Sequence, residues 1–264
     1  MRRLLRALIY VLTTAIGLLA FLYPIAMSAM EAGSTRQPVN TPLLLAFVVG
    51  LSFVALLLEV QGDAVSTKFI ALLGILVAMN AVLRFAEVAI PGPGGFSPIF
   101  FLIIVTGYIY GGRFGFLLGA LTLLVSALIS GGVGPWLPYQ MLTAGWVGLS
   151  SPLLNLPVRW LRAEGHWLEV ALLALFGLGW GLLYGAMMNL SSWAFIAGPG
   201  VQVATTFEET IKQYGVYYVA TSLLWDVARG LGNAALTLAF GAPTLRALRR
   251  FHKRFSFTYH PQEV

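Results

Sequence analysis

Two apolar stretches of this sequence each carry an arginine, a carboxylate and an asparagine at helical spacing. They are Asn80, Arg84 and Glu87 in the first stretch and Asp226, Arg229 and Asn233 in the second. Spacings of three, four and seven residues place each set on one face of a helix. A charge inside a membrane-spanning helix is costly, so it normally faces a cavity or a partner. We therefore predict that both sets line a polar substrate-binding site.

A structural role is the alternative for both sets. The pairs Arg84–Glu87 and Asp226–Arg229 can neutralise each other and hold helices together. The first pair lies within two turns of the following loop, so its side chains can also extend to the membrane interface. Because each set contains both signs of charge, the residues themselves do not select between an anionic and a cationic ligand.

Aromatic and amide side chains mark the ends of two other apolar stretches. They are Trp136, Tyr139 and Gln140 at the start of one stretch and Asn189 and Trp193 near the end of the other. Aromatic residues at this depth commonly anchor helices at the membrane interface. Together with amides on neighbouring helices, they also suit an amphipathic ligand that stacks and forms hydrogen bonds. We add them to the predicted substrate-binding residues.

The sequence offers little for catalysis. Its three histidines, His166, His252 and His260, lie in predicted loops or the tail, so an intramembrane serine protease would lack its base. The sequence has no cysteine, and it contains no Asp-rich diphosphate motif, HExxH sequence or P-loop. We expect neither an enzyme nor a bound metal or cofactor. Uphill transport would then need energy from a partner or an ion gradient.

The composition points to a membrane. Of 264 residues, 58% are hydrophobic and 10% are charged, whereas about 25% are charged in soluble domains. Continuous apolar runs exclude the alternating pattern of a β-barrel. We predict an all-α fold, a polytopic helical membrane protein with eight spans. They lie near residues 7–28, 43–58, 69–90, 97–112, 114–130, 137–157, 168–196 and 216–245.

Basic residues predict the orientation in the membrane. With a cytoplasmic N-terminus, twelve of the 16 Lys and Arg residues lie on the cytoplasmic side, and only Arg36 and Lys212 lie outside. This bias is typical of cytoplasmic loops, so we predict a plasma-membrane protein with both termini in the cytoplasm. The first span has an alternative reading as a signal peptide, because basic residues precede it and Ala26-Met27-Ser28 resembles a cleavage site.

Three predicted outer connections differ from the short inner ones. Residues 91–98 and 131–136 are rich in Gly and Pro, and residues 197–214 form a longer connection that carries charge. Such connections suit a lid over a cavity that opens outward. Ordinary interfacial turns have the same composition and are the alternative.

Four segments between Ile70 and about Leu149 follow a pattern found in one family of transport proteins. They are a helix rich in small residues, Phe96-Ser97-Pro98, residues 107–115 (GYIYGGRFG) and residues 132–141 (GVGPWLPYQM). This pattern resembles the substrate-binding (S) components of energy-coupling factor (ECF) transporters, the vitamin and micronutrient importers of prokaryotes. The six predicted spans from 69 to 245 are similar to the six-helix core of that family.

The resemblance implies a subunit that captures its substrate from outside, beneath the connections 91–98, 130–136 and 197–214. It also implies binding to a transmembrane coupling subunit that carries two cytoplasmic ATPases, and toppling within the membrane to release the substrate. A looser similarity to one branch favours cobalamin or a cobalamin precursor. A non-transporting sensor or assembly module and a self-sufficient secondary carrier are the alternatives.

The family contacts its coupling subunit through an Ala-x-x-x-Ala pattern on the first core helix, and the nearest match here is Gly74-x-x-x-Ala78. With Ala71 and Ala81 close by, these small residues would let another helix approach closely. Tight packing inside the bundle is the alternative. We therefore divide the chain into three regions. Residues 1–64 form two accessory helices that the six-helix core does not need, residues 65–246 form the substrate-binding core, and residues 247–264 form a basic tail.

Overall fold

The computed structural model describes residues 10–22, 67–89, 96–196 and 206–255, together with the single positions 8 and 50. Within these ranges the regular secondary structure is helical and contains no strand, which confirms the predicted all-α membrane fold. The α-helices are α1 (Tyr10–Leu22), α2 (Thr67–Ala89), α3 (Ile99–Tyr110), α4 (Gly112–Ser130), α5 (Leu137–Ser150), α6 (Asn155–Trp160), α7 (Trp167–Ile196), α8 (Phe207–Thr221) and α9 (Leu223–Phe255). A 3₁₀ turn at Ser151–Leu154 joins α5 to α6. Most of the two predicted N-terminal spans lies outside the described residues.

Three helices are long and apolar enough to cross a membrane, and they match predicted spans. They are the segments Thr67–Glu87, Gly112–Ser130 and Trp167–Ser192 of α2, α4 and α7. Helix α3 has only 12 residues, about 18 Å, and is too short to cross a hydrocarbon layer of about 30 Å alone. It is apolar on all sides and buried at the centre of the bundle, which is where such a helix is stable.

The last predicted span, 216–245, is wrong in its boundaries. The chain breaks at Ser222, where φ is −133°, so α8 ends at Thr221 and α9 begins at Leu223. Helix α8 also occupies part of the connection predicted for residues 197–214, from Phe207 onward. At the other end, α9 continues through residues 247–255, which were assigned to the tail.

Glycines allow the helices to approach each other closely, as two contacts illustrate. A Cβ built on Gly148 of α5 would lie 2.1 Å from the backbone of Gly115 on α4. A Cβ on Gly181 of α7 would lie 2.4 Å from the Cα of Gly230 on α9. Backbone contacts of this kind leave no room for a side chain, so they set the spacing of α4 against α5 and of α7 against α9.

The end of the bundle predicted to face the cytoplasm is held by a buried carboxylate. The side chain of Glu169, 1% exposed, pairs with Arg249 of α9 through both oxygens. It also accepts hydrogen bonds from the hydroxyl of Tyr108 at 2.6 Å and from the backbone N–H of Gly165 at 2.9 Å. Because these groups belong to α3, α7, α9 and the segment before α7, the single carboxylate ties all of them together.

Replacing Gly148 by Ala should lower the melting temperature, because the methyl group meets the Gly115 backbone rather than a side chain that could rotate away. Overpacking of this kind costs about 1–3 kcal/mol. Gly74→Ala is the matched control, since no described atom lies within 4 Å of a Cβ at that position. Thermal unfolding of the purified protein in detergent measures both. Equal melting temperatures would contradict the close approach of α4 and α5.

Arg249→Gln should destabilise the protein strongly, because it leaves the buried Glu169 carboxylate without its counter-charge. Breaking a buried pair in this way costs about 3–5 kcal/mol. Arg246→Gln, one turn earlier on the same helix and exposed, should leave the melting temperature within a degree or two of wild type. A similar loss in both variants would show that the effect comes from net charge and not from the pair.

Candidate functional site

Asn80, Arg84 and Glu87 lie on one face of α2, as their spacing predicts, but their surroundings differ. Asn80 is fully buried and donates hydrogen bonds to the Ile99 carbonyl at 3.1 Å and to the Thr122 hydroxyl at 3.2 Å. It therefore ties α2 to the start of α3 and to α4. The remaining two residues, Arg84 and Glu87, form an ion pair whose side chains are 28% and 15% exposed.

The connection before α3 completes this pair. The hydroxyl of Ser97 donates a hydrogen bond of 2.6 Å to Oε2 of Glu87, while Oε1 takes the guanidinium of Arg84. Both carboxylate oxygens of Glu87 are therefore in use. Phe96, next to Ser97, packs on Gly232 of α9, where a Cβ would come within 2.1 Å of its ring. Residues 96–98 thus link α2 to α9.

The corresponding pair on α9 lies deeper in protein than the first. Asp226 and Arg229 form an ion pair, with side chains 3% and 18% exposed. Because α9 begins at Leu223, Asp226 lies in its first turn, about 5 Å from the helix start, rather than in the middle of a continuous span. A carboxylate in the first turn of a helix is stabilised by the helix dipole.

The structure brings the two ion pairs together around one tyrosine. The guanidinium of Arg229 lies 5.5 Å from the ring centre of Tyr184 on α7, a distance at which cation and ring attract. Arg84 and Glu87 are within electrostatic range of the same tyrosine, and Glu87 is within range of Arg229. We call Arg84, Glu87, Ser97, Tyr184, Asp226 and Arg229 the outer polar cluster.

The predicted residues Asn189 and Asn233 flank this cluster as structural groups. The Asn189 amide donates to the Gly185 carbonyl at 2.9 Å and accepts from the hydroxyl of Ser222 at 2.8 Å, at the break between α8 and α9. Asn233 lies two turns below Asp226, fully buried, and donates to the Gly177 carbonyl at 3.3 Å. Both residues therefore fasten α9 to α7 and so hold the cluster in place.

The other predicted site residues lie elsewhere or are not described. Half-exposed Trp136 donates to the Gly132 carbonyl of its own loop at 3.2 Å. Tyr139 is buried with its ring centre 5.0 Å from that of Phe21 on α1. Gln140 is partly buried on α5, and the side chain of Trp193 lies outside the described residues. The contacts of Trp136 and Tyr139 are thus with their loop and with α1, not with the charged pairs.

The predicted docking residues divide into two groups. Ala71, Gly74 and Ala78 are exposed on α2, between exposed side chains such as Ile75 and Met79. Ala81, by contrast, is buried at 1% exposure against the bundle. The exposed stripe therefore consists of Ala71, Gly74 and Ala78, on the side of α2 away from its polar face.

Sequence reasoning missed the residues that join the pairs. Ser97 stands in the Phe96-Ser97-Pro98 motif, which was noted only as part of a family pattern. Tyr184 is one aromatic residue among many in an apolar helix, and the sequence contains no signal for its role. The stacked rings of Tyr214 and Tyr218 on α8, 6.2 Å apart, could have been found from their four-residue spacing, had α8 been recognised as a helix.

Comparison with known proteins gives one family. The family model described as "ECF transporter, substrate-specific component" matches residues 68–240. No curated protein and no solved structure matches the chain significantly. Within the described residues, no group of three or more His, Asp or Glu side chains is arranged to hold a metal ion.

Arg229→Gln should lower stability more than Arg84→Gln. The first change leaves Asp226 buried and without its counter-charge, which costs about 3–5 kcal/mol. After the second change Glu87 keeps the hydrogen bond from Ser97 and is more exposed. Melting temperatures in detergent, with size-exclusion profiles to confirm folding, give the comparison. A larger loss of melting temperature in Arg84→Gln would mean that water reaches the Asp226–Arg229 pair.

Proposed function

Because the chain belongs to the family of ECF transporter substrate-specific components, we propose that it captures a water-soluble vitamin or a related cofactor precursor from outside the cell. The matched residues, 68–240, contain the whole outer polar cluster and the exposed stripe of α2. The cluster supports the proposal most directly, since buried charges in a membrane protein commonly mark the path or site of a polar substrate. In this proposal Arg84, Glu87, Asp226 and Arg229 contact the ligand or support the residues that do.

The position of the cluster fits capture from outside. It lies between the end of α2, the connection 96–98 and the start of α9, all at the end opposite Glu169 and Arg249. The inner end is closed by the Glu169 network, so a ligand would reach the cluster through the outer connections. Cobalamin and its precursors are the first candidates by family branch, and an equilibrium-binding panel of vitamins tests the ligand directly.

Energy for uptake would come from partners. We propose that the exposed stripe of Ala71, Gly74 and Ala78 binds a transmembrane coupling subunit that carries two cytoplasmic ATPases. Small residues one turn apart allow close contact with a partner helix, and a Cβ at Gly74 meets no described atom within 4 Å. The same helix carries the charged pair on its other side, so substrate contact and partner contact would use opposite faces of α2.

Gly74→Trp and Ala78→Leu together should abolish co-purification with a coupling subunit and its ATPases while leaving ligand binding by the isolated protein unchanged. Bulky residues on the stripe keep the partner helix at a distance without entering the bundle. Met79→Leu, which changes an exposed side chain beside the stripe without adding bulk, is the control and should preserve the complex. Unchanged co-purification of the double variant would exclude this face. Uptake by the chain alone in vesicles with an ion gradient would instead identify a secondary carrier.

A further inference from the structure

One polar atom of the outer polar cluster lacks a partner. Oδ1 of Asp226 pairs with Arg229, but Oδ2 is buried and accepts no hydrogen bond from the described residues. The oxygens of Glu87, by comparison, are both in use. A buried acceptor without a partner is unfavourable, and a bound group that donates a hydrogen bond would remove that penalty.

The surroundings of Asp226 confine its carboxylate to one position. A Cβ on Gly185 of α7 would lie only 1.9 Å from the carboxylate atoms, so the glycine provides the space in which the carboxylate sits. On α8, Tyr214 is within electrostatic range of Asp226, and the hydroxyl of Tyr218 lies close enough to act on the carboxylate as a donor without forming a hydrogen bond of ordinary geometry to Oδ2. The hydroxyl of Tyr214 is already donated to the Ala186 carbonyl at 2.6 Å. Aromatic rings beside a carboxylate are a favourable environment for an organic cation.

Resting on the function proposed above, we infer that the ligand presents an N–H donor, an amine or an amino-substituted heterocycle, to Oδ2 of Asp226. A ligand carboxylate is disfavoured at this atom, because it would place two acceptors of like charge in contact. The arginines do not reverse this preference: each is already paired with its own carboxylate. The buried group that remains open is an acceptor, and it therefore selects a donor.

A matched pair of small probes tests the inference. Benzylammonium and benzoate have the same ring and similar size, but one offers N–H donors and the other a carboxylate. With the purified full-length protein, benzylammonium should bind and raise the melting temperature, and benzoate should not. Stabilisation by benzoate equal to that by benzylammonium, or no binding of benzylammonium, would overturn the inference from the wild-type protein alone.

Variants then locate the contact. Asp226→Asn should weaken benzylammonium binding at least tenfold, because the amide can place an N–H where the acceptor was. Glu208→Gln, which removes a carboxylate that is 78% exposed on α8, controls for charge at the same end and should bind within about twofold of wild type. Equal affinity of wild type and Asp226→Asn for benzylammonium would refute the assignment.

Tyr218→Phe tests whether Oδ2 of Asp226 is open to a ligand or takes its hydrogen bond from Tyr218 instead. If the phenol of Tyr218 turned to donate to Oδ2, its removal would free the acceptor and strengthen benzylammonium binding at least threefold, and that result would contradict an open subsite in the wild type. Unchanged binding is expected. Co-purification with the coupling subunit tests the proposed transport function separately. If the protein forms no such complex but still binds benzylammonium through Asp226, the transport function is wrong and the Asp226 subsite is still supported.

Discussion

The arrangement of this protein depends on the cost of placing a charge away from water. Hydrocarbon provides no hydrogen bonds, so a carboxylate inside the bundle needs a counter-charge and further donors. Each described carboxylate in the bundle has such a counter-charge: Glu87 has Arg84, Asp226 has Arg229, and Glu169 has Arg249. The Glu169–Arg249 pair joins α7 to α9 at one end of the bundle, whereas the other two pairs each lie within one helix at the opposite end.

The interface between α7 and α9 contains a buried carboxylate at each end of the bundle. Gly181 and Gly230 bring the two backbones into contact midway, Gly185 makes room for the Asp226 carboxylate above them, and Glu169 meets Arg249 below them. Backbone contact in the middle thus sets the register that both buried carboxylates require. The placement of the two buried carboxylates at opposite ends of the bundle follows from one antiparallel helix pair.

Helix α2 combines two surfaces that a substrate-capturing subunit needs. Its polar face supplies Arg84 and Glu87 to the cluster, whereas its small-residue stripe is exposed on the other side. The separation is a property of helical geometry, since Ala78 of the stripe and Glu87 of the polar face, nine residues apart, differ by a rotation of about 180°. In the proposed function, a ligand that shifts α2 through its polar face would therefore also shift the small-residue stripe that we assign to the coupling subunit.

The sequence alone determined the membrane class, the helical fold and the family, because composition, apolar runs and a glycine-containing motif are local properties of the chain. It also determined that Arg84–Glu87 and Asp226–Arg229 each lie on one helical face, since three-residue spacing is sufficient for that. The tertiary structure alone decided that the two pairs meet at Tyr184, that Ser97 completes the first, and that Ala81 turns inward while Gly74 faces out. It likewise revealed the break at Ser222, which the uninterrupted apolar pattern concealed. These features arise from the register between helices, and register is set by backbone approach at glycines and by partners far away in the sequence, which periodicity along one helix does not record.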